Sequence, residues 1–293
     1  MTLIVKLNGG LGNQLFQYAF ARGVSTRMKT SFRLDTTPFH TYYKLDLYAL
    51  SHFNIQENIA KDSDMFGLVW LRKYNTFFNF IYHRLRFNRL LHPWYYMEKT
   101  FMYDRDVFLA KKTTYFDGFW QTEEYFKDIA DIIRKEITLK APFSPYSQTI
   151  DDKIQKTQSV SIHARRFHAE SREKPWHRLC PPEYYEHAIE LIANRVLCPH
   201  FFIFSDSYEW AVEAFKDLKY PFTIVKNGND KNYEDMILMS HSKHHIIANS
   251  SFSWWGAWLN PRKDKIVIAP QTWFENAPKN NIQDLVPKEW IKI

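Results

Sequence analysis

The stretch HIIANSSFSWWGAWLN, residues 245–260, combines a short apolar strand with the start of a helix. The apolar residues before position 249 are typical of a buried strand, and Asn249, Ser250 and Ser251 follow it directly. One interpretation is an ordinary serine N-cap. The other is a phosphate cradle, in which backbone N–H groups and a hydroxyl converge on one anion while three tryptophans anchor the helix behind them.

Strands and helices alternate in both halves of the chain. The pattern predicts strands at 3–7, 31–34, 160–163, 200–206, 222–225, 245–249 and 266–270, and helices at 13–27, 207–218 and 232–244 and from residues 182 and 250. Because strands that alternate with helices form parallel sheets covered on both faces, the sequence predicts an α/β fold. Residues 140–157 carry prolines, serines and charges between two such blocks, which predicts a domain of residues 1–150 and another of residues 151–293.

The composition favours a partner with negative charge. The 293 residues carry a formal charge of +7, and the pI is about 9.1, which suits a nucleotide, a nucleic acid or an anionic membrane. Two cysteines without metal-ligand spacing indicate neither a disulfide framework nor a zinc site. With no signal-peptide pattern and no apolar run long enough to span a membrane in the sequence, we expect a cytoplasmic protein.

A basic, aromatic segment lies between Phe66 and Lys99. Arginines and lysines alternate there with tyrosines, phenylalanines and tryptophans, and Glu98 is the only acidic residue. A helical insertion of this kind suits peripheral attachment to an anionic membrane, here the inner face of the cytoplasmic membrane. An amphipathic helix with buried aromatic residues and solvated arginines explains the same pattern. Both interpretations stay open.

Two further turns carry glycines or arginines at predicted strand ends. In NGGLGNQ, residues 8–14, glycines let a ligand approach the backbone and the next helix offers free N–H groups to an anion; a tight connecting turn is the alternative. In VSIHARR, residues 160–166, Arg165 and Arg166 point to opposite faces of a strand and cannot share one role. An arginine past a strand end lies where open α/β sheets bind ligands, and its planar fork suits a diphosphate.

Together these turns predict a cleft for a diphosphate. Neither turn continues into the lysine and hydroxyl residue of a P-loop. The charge of the diphosphate is therefore expected to be met by Arg165 and by helix ends rather than by magnesium. This suits a nucleotide diphosphate as leaving group, and it predicts that neither a metal nor a cofactor is required.

Five stretches resemble the bacterial α-1,2-fucosyltransferases, which are related more distantly to α-1,6- and protein O-fucosyltransferases. They are GGLGNQLFQYAFA (9–21), YFDGFWQTEEYF (115–126), VSIHARR (160–166), FFIFSDS (201–207) and DMILMSHSKHHIIANSSFSWWGAWLN (235–260). The resemblance implies two Rossmann-like domains that face each other across a cleft, the GT-B arrangement. It also implies transfer of L-fucose from GDP-fucose with inversion and without a metal.

The resemblance implies an acceptor as well. The family's usual target is the 2-hydroxyl of a terminal galactose in a surface polysaccharide or lipopolysaccharide, such as an O-antigen. The chain is thus expected to be a galactoside 2-α-L-fucosyltransferase. A lipid-linked glycan as acceptor would explain the basic aromatic segment.

Single residues match the family's motifs. Arg165 matches the arginine that holds the β-phosphate, and Asn13 matches an asparagine near the diphosphate. Asp235 matches the residue with which the relatives read guanine, helped by His163. With the turns above, the predicted nucleotide-sugar contacts are Gly10, Gly12, Asn13, His163, Arg165, Asp206, Asp235, Asn249, Ser250, Ser251 and Phe252.

The catalytic residues are predicted to be Arg165, Asn13 and Glu170. Arg165 would stabilise the negative charge that grows on the leaving phosphate. The general base that deprotonates the acceptor is not singled out, and its candidates are Asp117, His168, Glu170 and Glu173.

The DGFWQ stretch predicts contacts with the acceptor sugar at Asp117, Trp120 and Gln121, because sugar rings pack on aromatic faces. A buried core tryptophan is the alternative for Trp120.

Two competing functions stay open. The family usually continues its His-x-Arg-Arg motif with Gly-Asp, but Phe167 and His168 stand in those places here, which allows a catalytically weak GDP-sugar binder. The rival from another class is a nucleic-acid-binding protein. It is disfavoured because the basic and aromatic residues do not gather on one recognisable module.

Overall fold

The computed structural model describes residues 1–41, 47–64, 94–166, 179–274 and 283–293. The chain divides into two compact units. The first consists of Met1–Ile137 with Asn280–Leu285, and the second of Thr138–Lys279 with Val286–Ile293.

Among the described residues, the first unit has one sheet of four parallel strands in the order β2-β1-β4-β3. These strands are β1 (Thr2–Lys6), β2 (Ser31–Asp35), β3 (Tyr95–Met97) and β4 (Tyr115–Asp117). The helices are α1 (Leu11–Met28), α2 (Thr37–Thr41) and α3 (Ala130–Glu136), with 3-10 turns at Leu50–His52, Asp62–Asp64, Arg105–Leu109, Glu123–Tyr125 and Lys127–Ile129.

The core of the first unit forms where α1 packs on the sheet. Phe20 on α1 stacks on Trp120 at a centroid distance of 4.1 Å and meets Phe116 of β4 edge-on. Gly23 lies directly against the backbone of Tyr125, so that a side chain at this position of the helix would collide with it. Burial of these large rings is the main stabilising contribution here.

The second unit has a larger parallel sheet, whose described strands run in the order β10-β9-β8-β5-β6-β7. Its strands are β5 (Gln158–Ala164), β6 (Pro199–Ser205), β7 (Phe222–Ile224), β8 (His244–Ile246), β9 (Val267–Ala269) and β10 (Ile291–Lys292). Its helices are α4 (Pro145–Lys156), α5 (Pro182–Ala193), α6 (Tyr208–Phe215), α7 (Asn232–His241) and α8 (Ser251–Leu259), with a 3-10 turn at Asn229–Lys231.

This strand order places β5 in the middle of the sheet. From β5 the chain proceeds outward to β6 and β7, then returns to the other side of β5 with β8. A crevice therefore opens between β5 and β8 at their carboxyl ends, the place where doubly wound sheets bind nucleotides.

The predicted α/β fold with parallel sheets is confirmed, and each predicted strand and helix lies close to its observed bounds. The boundary predicted at residue 150 is different, because contacts divide the chain after Ile137. Pro145–Lys156 forms a helix of the second unit, since Ser144 caps it and Pro145 starts it. Ile150 and Ile154 bury its apolar side, and the prolines and charges of this stretch belong to that helix rather than to a linker.

The helical insertion predicted at 66–99 falls mostly outside the described residues. Its described end contradicts a helix, because Tyr95–Met97 is a strand that pairs with β4. None of the helices in the described part of the chain is long and apolar enough to cross a membrane.

Candidate functional site

The crevice of the second unit lies between the end of β5 and the start of α8. Ile162 of β5 is paired with Ile246 of β8, so the two strands end side by side. Just beyond them, the rings of His163 and Phe252 approach to 5.4 Å between centroids. Two stretches that are distant in sequence, VSIHARR and the serine-rich helix start, are thereby joined at one edge of the sheet.

His163 is a buried and neutral histidine. It is 7% exposed, and its Nδ1 has no hydrogen-bond partner within the described residues. Burial, and after it the nearby charge of Arg165, lowers the pKa of the imidazole to about 3. A neutral ring whose nitrogen has no partner in the described structure can form a hydrogen bond with a ligand at this place.

The two neighbouring arginines have different surroundings, as strand alternation predicts. In the described part of the chain no hydrogen bond or ion pair holds the Arg165 guanidinium; burial lowers its pKa, and Asp206 opposes that shift. Arg166 stacks on Trp210 at 4.8 Å, and its backbone N–H donates to Asp206 at 2.6 Å. Arg165 is the arginine that is available for an anion.

The start of α8 is a capped helix terminus. Ser250 Oγ accepts from the N–H of Phe252 at 3.3 Å, and the buried Ser253 hydroxyl donates back to Ala248 O at 3.3 Å. Asn249 donates to Trp273 O at 3.0 Å and accepts from the Cys180 thiol. The N-cap interpretation is therefore confirmed, and the cap uses the Phe252 N–H.

Asp235 lies in the first turn of α7, which begins on the same edge of the sheet. Its Oδ1 accepts from Asn227 Nδ2 at 2.6 Å. Burial raises the pKa of Asp235 to about 7, and the Asn227 amide partly opposes the shift. The preceding Glu234 has another role, because it binds the hydroxyl of Ser144 at 2.7 Å and caps α4.

In the first unit, the turn after β1 approaches the loop after β4. Gly10 is the N-cap residue of α1 and Gly12 is buried in its first turn. Asn13 Oδ1 accepts from Gln121 Nε2 at 2.8 Å. Asp117 at the end of β4 forms an ion pair with Lys6 at 3.0 Å, and it also accepts from the Tyr95 hydroxyl.

The acceptor role predicted for Trp120 is not supported. Its side chain is fully buried and stacked on Phe20, so a sugar ring cannot pack on it in this structure. Gln121 is also buried, with 7% exposure, which leaves Asp117, with a side chain that is 16% exposed, as the most accessible of the three predicted acceptor contacts.

Several predicted residues cannot be placed. Glu170, the third predicted catalytic residue, lies outside the described residues together with Phe167, His168 and Glu173. Of the four candidate bases, the structure places Asp117.

Sequence reasoning gave no role to Lys6 or Glu98. Glu98 accepts hydrogen bonds from two successive N–H groups of the DGFWQ loop, at 2.7 Å from Phe119 and 2.9 Å from Trp120. Its one signal in the sequence was its isolation as a single acid in a basic segment.

Within the described residues, acidic and other side chains form no cluster suited to a metal ion. Two Asp-x-Asp spacings occur, at 62–64 and 104–106. Asp64 is paired with Arg33, whereas Asp104 accepts from Tyr96 Oη and caps a 3-10 turn. At least one aspartate of each spacing is engaged in local structure.

The whole chain is similar to known glycosyltransferases. The model of the family described as Glycosyl transferase family 11 matches residues 2–293. An α-1,2-colitosyltransferase of Escherichia coli is 33% identical, over 99% of this chain and 98% of that protein. The O-antigen biosynthesis glycosyltransferase WbnK, also of Escherichia coli, is 31% identical over 98% of this chain and 99% of its own.

A solved structure has a similar fold. The crystal structure of the NodZ α-1,6-fucosyltransferase soaked with GDP-fucose superposes on this chain with a TM-score of 0.52. The two sequences are 15% identical, and the match covers 91% of this chain and 94% of the NodZ chain. NodZ from Bradyrhizobium is also represented by a separate structure. The likeness shows the fold, an α/β protein of GT-B type, as predicted.

Proposed function

The chain belongs to glycosyl transferase family 11, and from this premise we propose that it transfers L-fucose from GDP-fucose to the 2-hydroxyl of a galactose in a glycan. The protein is a glycosyltransferase, and its donor, linkage and acceptor are the proposed part. The name of the colitosyltransferase relative includes an α-1,2 linkage, and the name of WbnK includes O-antigen biosynthesis. These names support a 2-hydroxyl in a surface glycan as target.

The convergence of β5 and α8 is the observation that carries the proposal. Arg165, unpaired in the described structure, and the capped N-terminus of α8 lie at the crevice of the doubly wound sheet. His163 and Phe252 bring these two elements together. A diphosphate is the group whose charge and shape suit a guanidinium fork beside a helix N-terminus.

Inverting transfer needs a single in-line attack by the acceptor hydroxyl on C1 of the sugar, opposite the departing GDP. The transition state has oxocarbenium character, as in glycoside hydrolysis. Negative charge grows on the β-phosphate as the bond breaks, so preorganised donors at that phosphate accelerate the reaction. Arg165 supplies such a donor, and we propose that no metal is required.

The base that receives the proton of the acceptor stays open among Asp117, His168, Glu170 and Glu173. Asp117 is the placed candidate, and it forms an ion pair with Lys6.

Colitosyl transfer is the second candidate, because the relative with 33% identity is named for it. Colitose is L-fucose without its 3-hydroxyl, so the two donors differ in one polar group. A site that hydrogen-bonds the 3-hydroxyl rejects the analogue without it, while a site with an apolar surface there accepts both.

The experiment is a transfer assay with GDP-fucose and GDP-colitose on β-galactosides, with the product linkage read by NMR. The matched control acceptor is the 2-deoxygalactoside, on which no product is expected. Transfer of fucose to another hydroxyl would contradict the proposed linkage. Donor hydrolysis without transfer to any galactoside would instead favour a catalytically weak GDP-sugar binder.

Attachment to an anionic membrane through the basic residues of segment 66–99 stays a proposal. One of its described members supports it, because Trp94 is exposed and Lys111 from a neighbouring turn lies 3.2 Å above its ring. Binding to vesicles that contain anionic lipid, weakening with added salt, is the expected result.

A further inference from the structure

Glu98 and the loop 118–121 form a clamp in the first unit. The backbone N–H of Glu98 donates to Asp117 O at 2.9 Å and continues the pairing of β3 with β4. Its side chain turns back so that Oε2 accepts from Phe119 N at 2.7 Å and Oε1 from Trp120 N at 2.9 Å. One carboxylate thus satisfies two successive backbone donors of the loop.

The loop adopts a conformation that needs such support. Trp120 has a φ of +58°, in the left-handed region that a bulky residue seldom adopts. A side chain at Gly118 would collide with the Cβ of Glu98, so the carboxylate and the loop are packed in direct contact. Gln17 of α1 donates to Gly118 O at 3.0 Å and holds the other side of the loop.

The clamped loop ends at Gln121, and Gln121 holds Asn13. The amide of Gln121 donates to Asn13 Oδ1 at 2.8 Å, across 108 positions of the sequence. Asn13 is the first-unit residue that the resemblance to the fucosyltransferases assigns to the reaction, near the diphosphate of the donor. A residue that fixes loop 118–121 therefore also fixes the orientation of the Asn13 side chain.

We propose that Glu98 is a positioning residue for glycosyl transfer, which acts by clamping loop 118–121 so that Gln121 holds Asn13 in its reactive orientation. This inference rests on the proposed function. The clamp requires the ionised carboxylate, because a protonated carboxyl would place an O–H donor against one of the two N–H donors.

The surroundings of Glu98 make its ionisation sensitive to pH near neutrality. Burial raises the pKa of Glu98 to about 7; Asp117 adds to this effect, and the two N–H groups oppose it. The other titratable groups around the clamp are Lys6, which is paired with Asp117, and Tyr125. We expect the clamp to close as pH rises through about 7.

The test compares Glu98→Gln with the wild type and with Glu136→Gln. Glutamine keeps the shape but turns an N–H donor toward one backbone N–H. Glu136 is a matched control, because it is also a part-buried carboxylate of the first unit, paired with Arg22 and Tyr18 far from the loop in sequence. Glu98→Asp keeps the charge with a shorter reach and is expected to retain part of the activity.

For Glu98→Gln we expect kcat/KM to fall by about tenfold to a hundredfold, the range for losing a hydrogen bond to a charged group. The ratio of wild-type to variant kcat/KM should grow by about five- to tenfold as pH rises from 6 to 8, because only the wild type gains the clamp and the ionised fraction of a group with a pKa of about 7 rises by about tenfold over that range. Glu136→Gln should lower the melting temperature without changing the shape of the pH profile. An equal loss of kcat/KM in Glu136→Gln, or a ratio that is constant with pH, would overturn the inference.

Hydrogen exchange gives a readout that does not depend on activity. The amides of residues 119 and 120 should exchange faster in Glu98→Gln than in the wild type or in Glu136→Gln. Unchanged exchange there overturns the clamp itself. A wild type that transfers no sugar, but in which exchange responds as expected, would contradict the proposed function and leave the clamp supported.

Discussion

The turn after β1 and the turn after β8 both lead from a strand through small residues into a helix, but their polar groups are bonded differently. At the first turn, Gln14 donates to Gly9 O and Leu47 O and accepts from Ala49 N. The Gln17 side chain likewise accepts a hydrogen bond from Asn8 N and donates one to Gly118 O. This turn is held by a network of amides that are already used.

At the second turn, donors remain for a ligand. In the described part of the chain Arg165 has no hydrogen-bond partner, and His163 Nδ1 has none either. The unpaired atom at the first turn is Asn8 Oδ1, an acceptor, which repels phosphate oxygens. The two turns thus differ in how many of their polar groups are already occupied, because their neighbours differ.

The largest effect expected from this difference concerns the two adjacent arginines. Arg165→Lys removes the planar fork from the leaving phosphate, and losing a preorganised donor to developing charge costs about 2.7–4 kcal/mol. Activity should therefore fall by about a hundredfold to a thousandfold. Arg166→Lys should be milder, because its contact with Asp206 is made by the backbone N–H.

Steady-state kinetics with GDP-fucose measure both variants. If Arg166→Lys proves the more damaging substitution, the assignment of the two strand faces is reversed.

The next effect concerns Asp235, which we propose reads guanine through its ring N–H and exocyclic amine. Asp235→Asn should weaken GDP binding by roughly tenfold to a hundredfold, since a hydrogen bond to a charged group contributes about 1.5–3 kcal/mol. The pKa of Asp235 is raised to about 7, and the ionised form is the acceptor. GDP affinity of the wild type should therefore increase as pH rises through about 7, and that of the variant should not.

Calorimetric titration with GDP, ADP and UDP checks this prediction, with Glu234→Gln as the neighbouring control. Glu234→Gln should lower stability, because it uncaps α4, and keep the preference for guanine. Equal GDP affinity in Asp235→Asn and wild type would mean that guanine is read elsewhere.

A smaller effect is expected at the first turn. Gly9 has a φ of +74°, and an added Cβ would lie 2.6 Å from Asn13 Nδ2. Gly9→Ala should lower the free energy of unfolding by about 1–2 kcal/mol, the cost of the left-handed conformation for a residue with a Cβ. Gly228→Ala is the control, since its φ of −71° suits any residue and the Cβ would meet only the flexible end of Asp230.

Denaturant unfolding gives the stability change. A loss of GDP affinity in Gly9→Ala beyond what its stability explains would show that the first turn is also an anion site, and the contrast between the two turns would fail.

No effect is expected from removal of divalent metal ions. Arg165 and the start of α8 can meet the charge of the diphosphate, and Asp64 and Asp104 of the two Asp-x-Asp spacings are engaged in local structure. Activity in EDTA should equal that in its absence. Activity that is lost in EDTA and restored by magnesium or manganese would show that the donors of the second turn are insufficient.

The sequence by itself determined the order of strands and helices and the positions of the turns that are predicted to bind the ligand. These features are local: alternation of apolar residues sets a strand, and a serine or proline at the right place starts a helix. Motif resemblance then placed the chain in its enzyme class, because GGLGNQ, HARR and SSFSWW occur in the right order and context.

Only the tertiary structure decided how the polar and aromatic side chains of those turns are used. Trp120 was equally suited to a sugar or to the core, and the position of Phe20 buried it. The hydrogen-bond partner of Gln121 lies 108 positions away in the sequence. The partners of Glu98 lie 21 and 22 positions away. Whether a donor is satisfied depends on such distant neighbours, which no local pattern contains, and this is why the structure alone separates a free arginine from a stacked one.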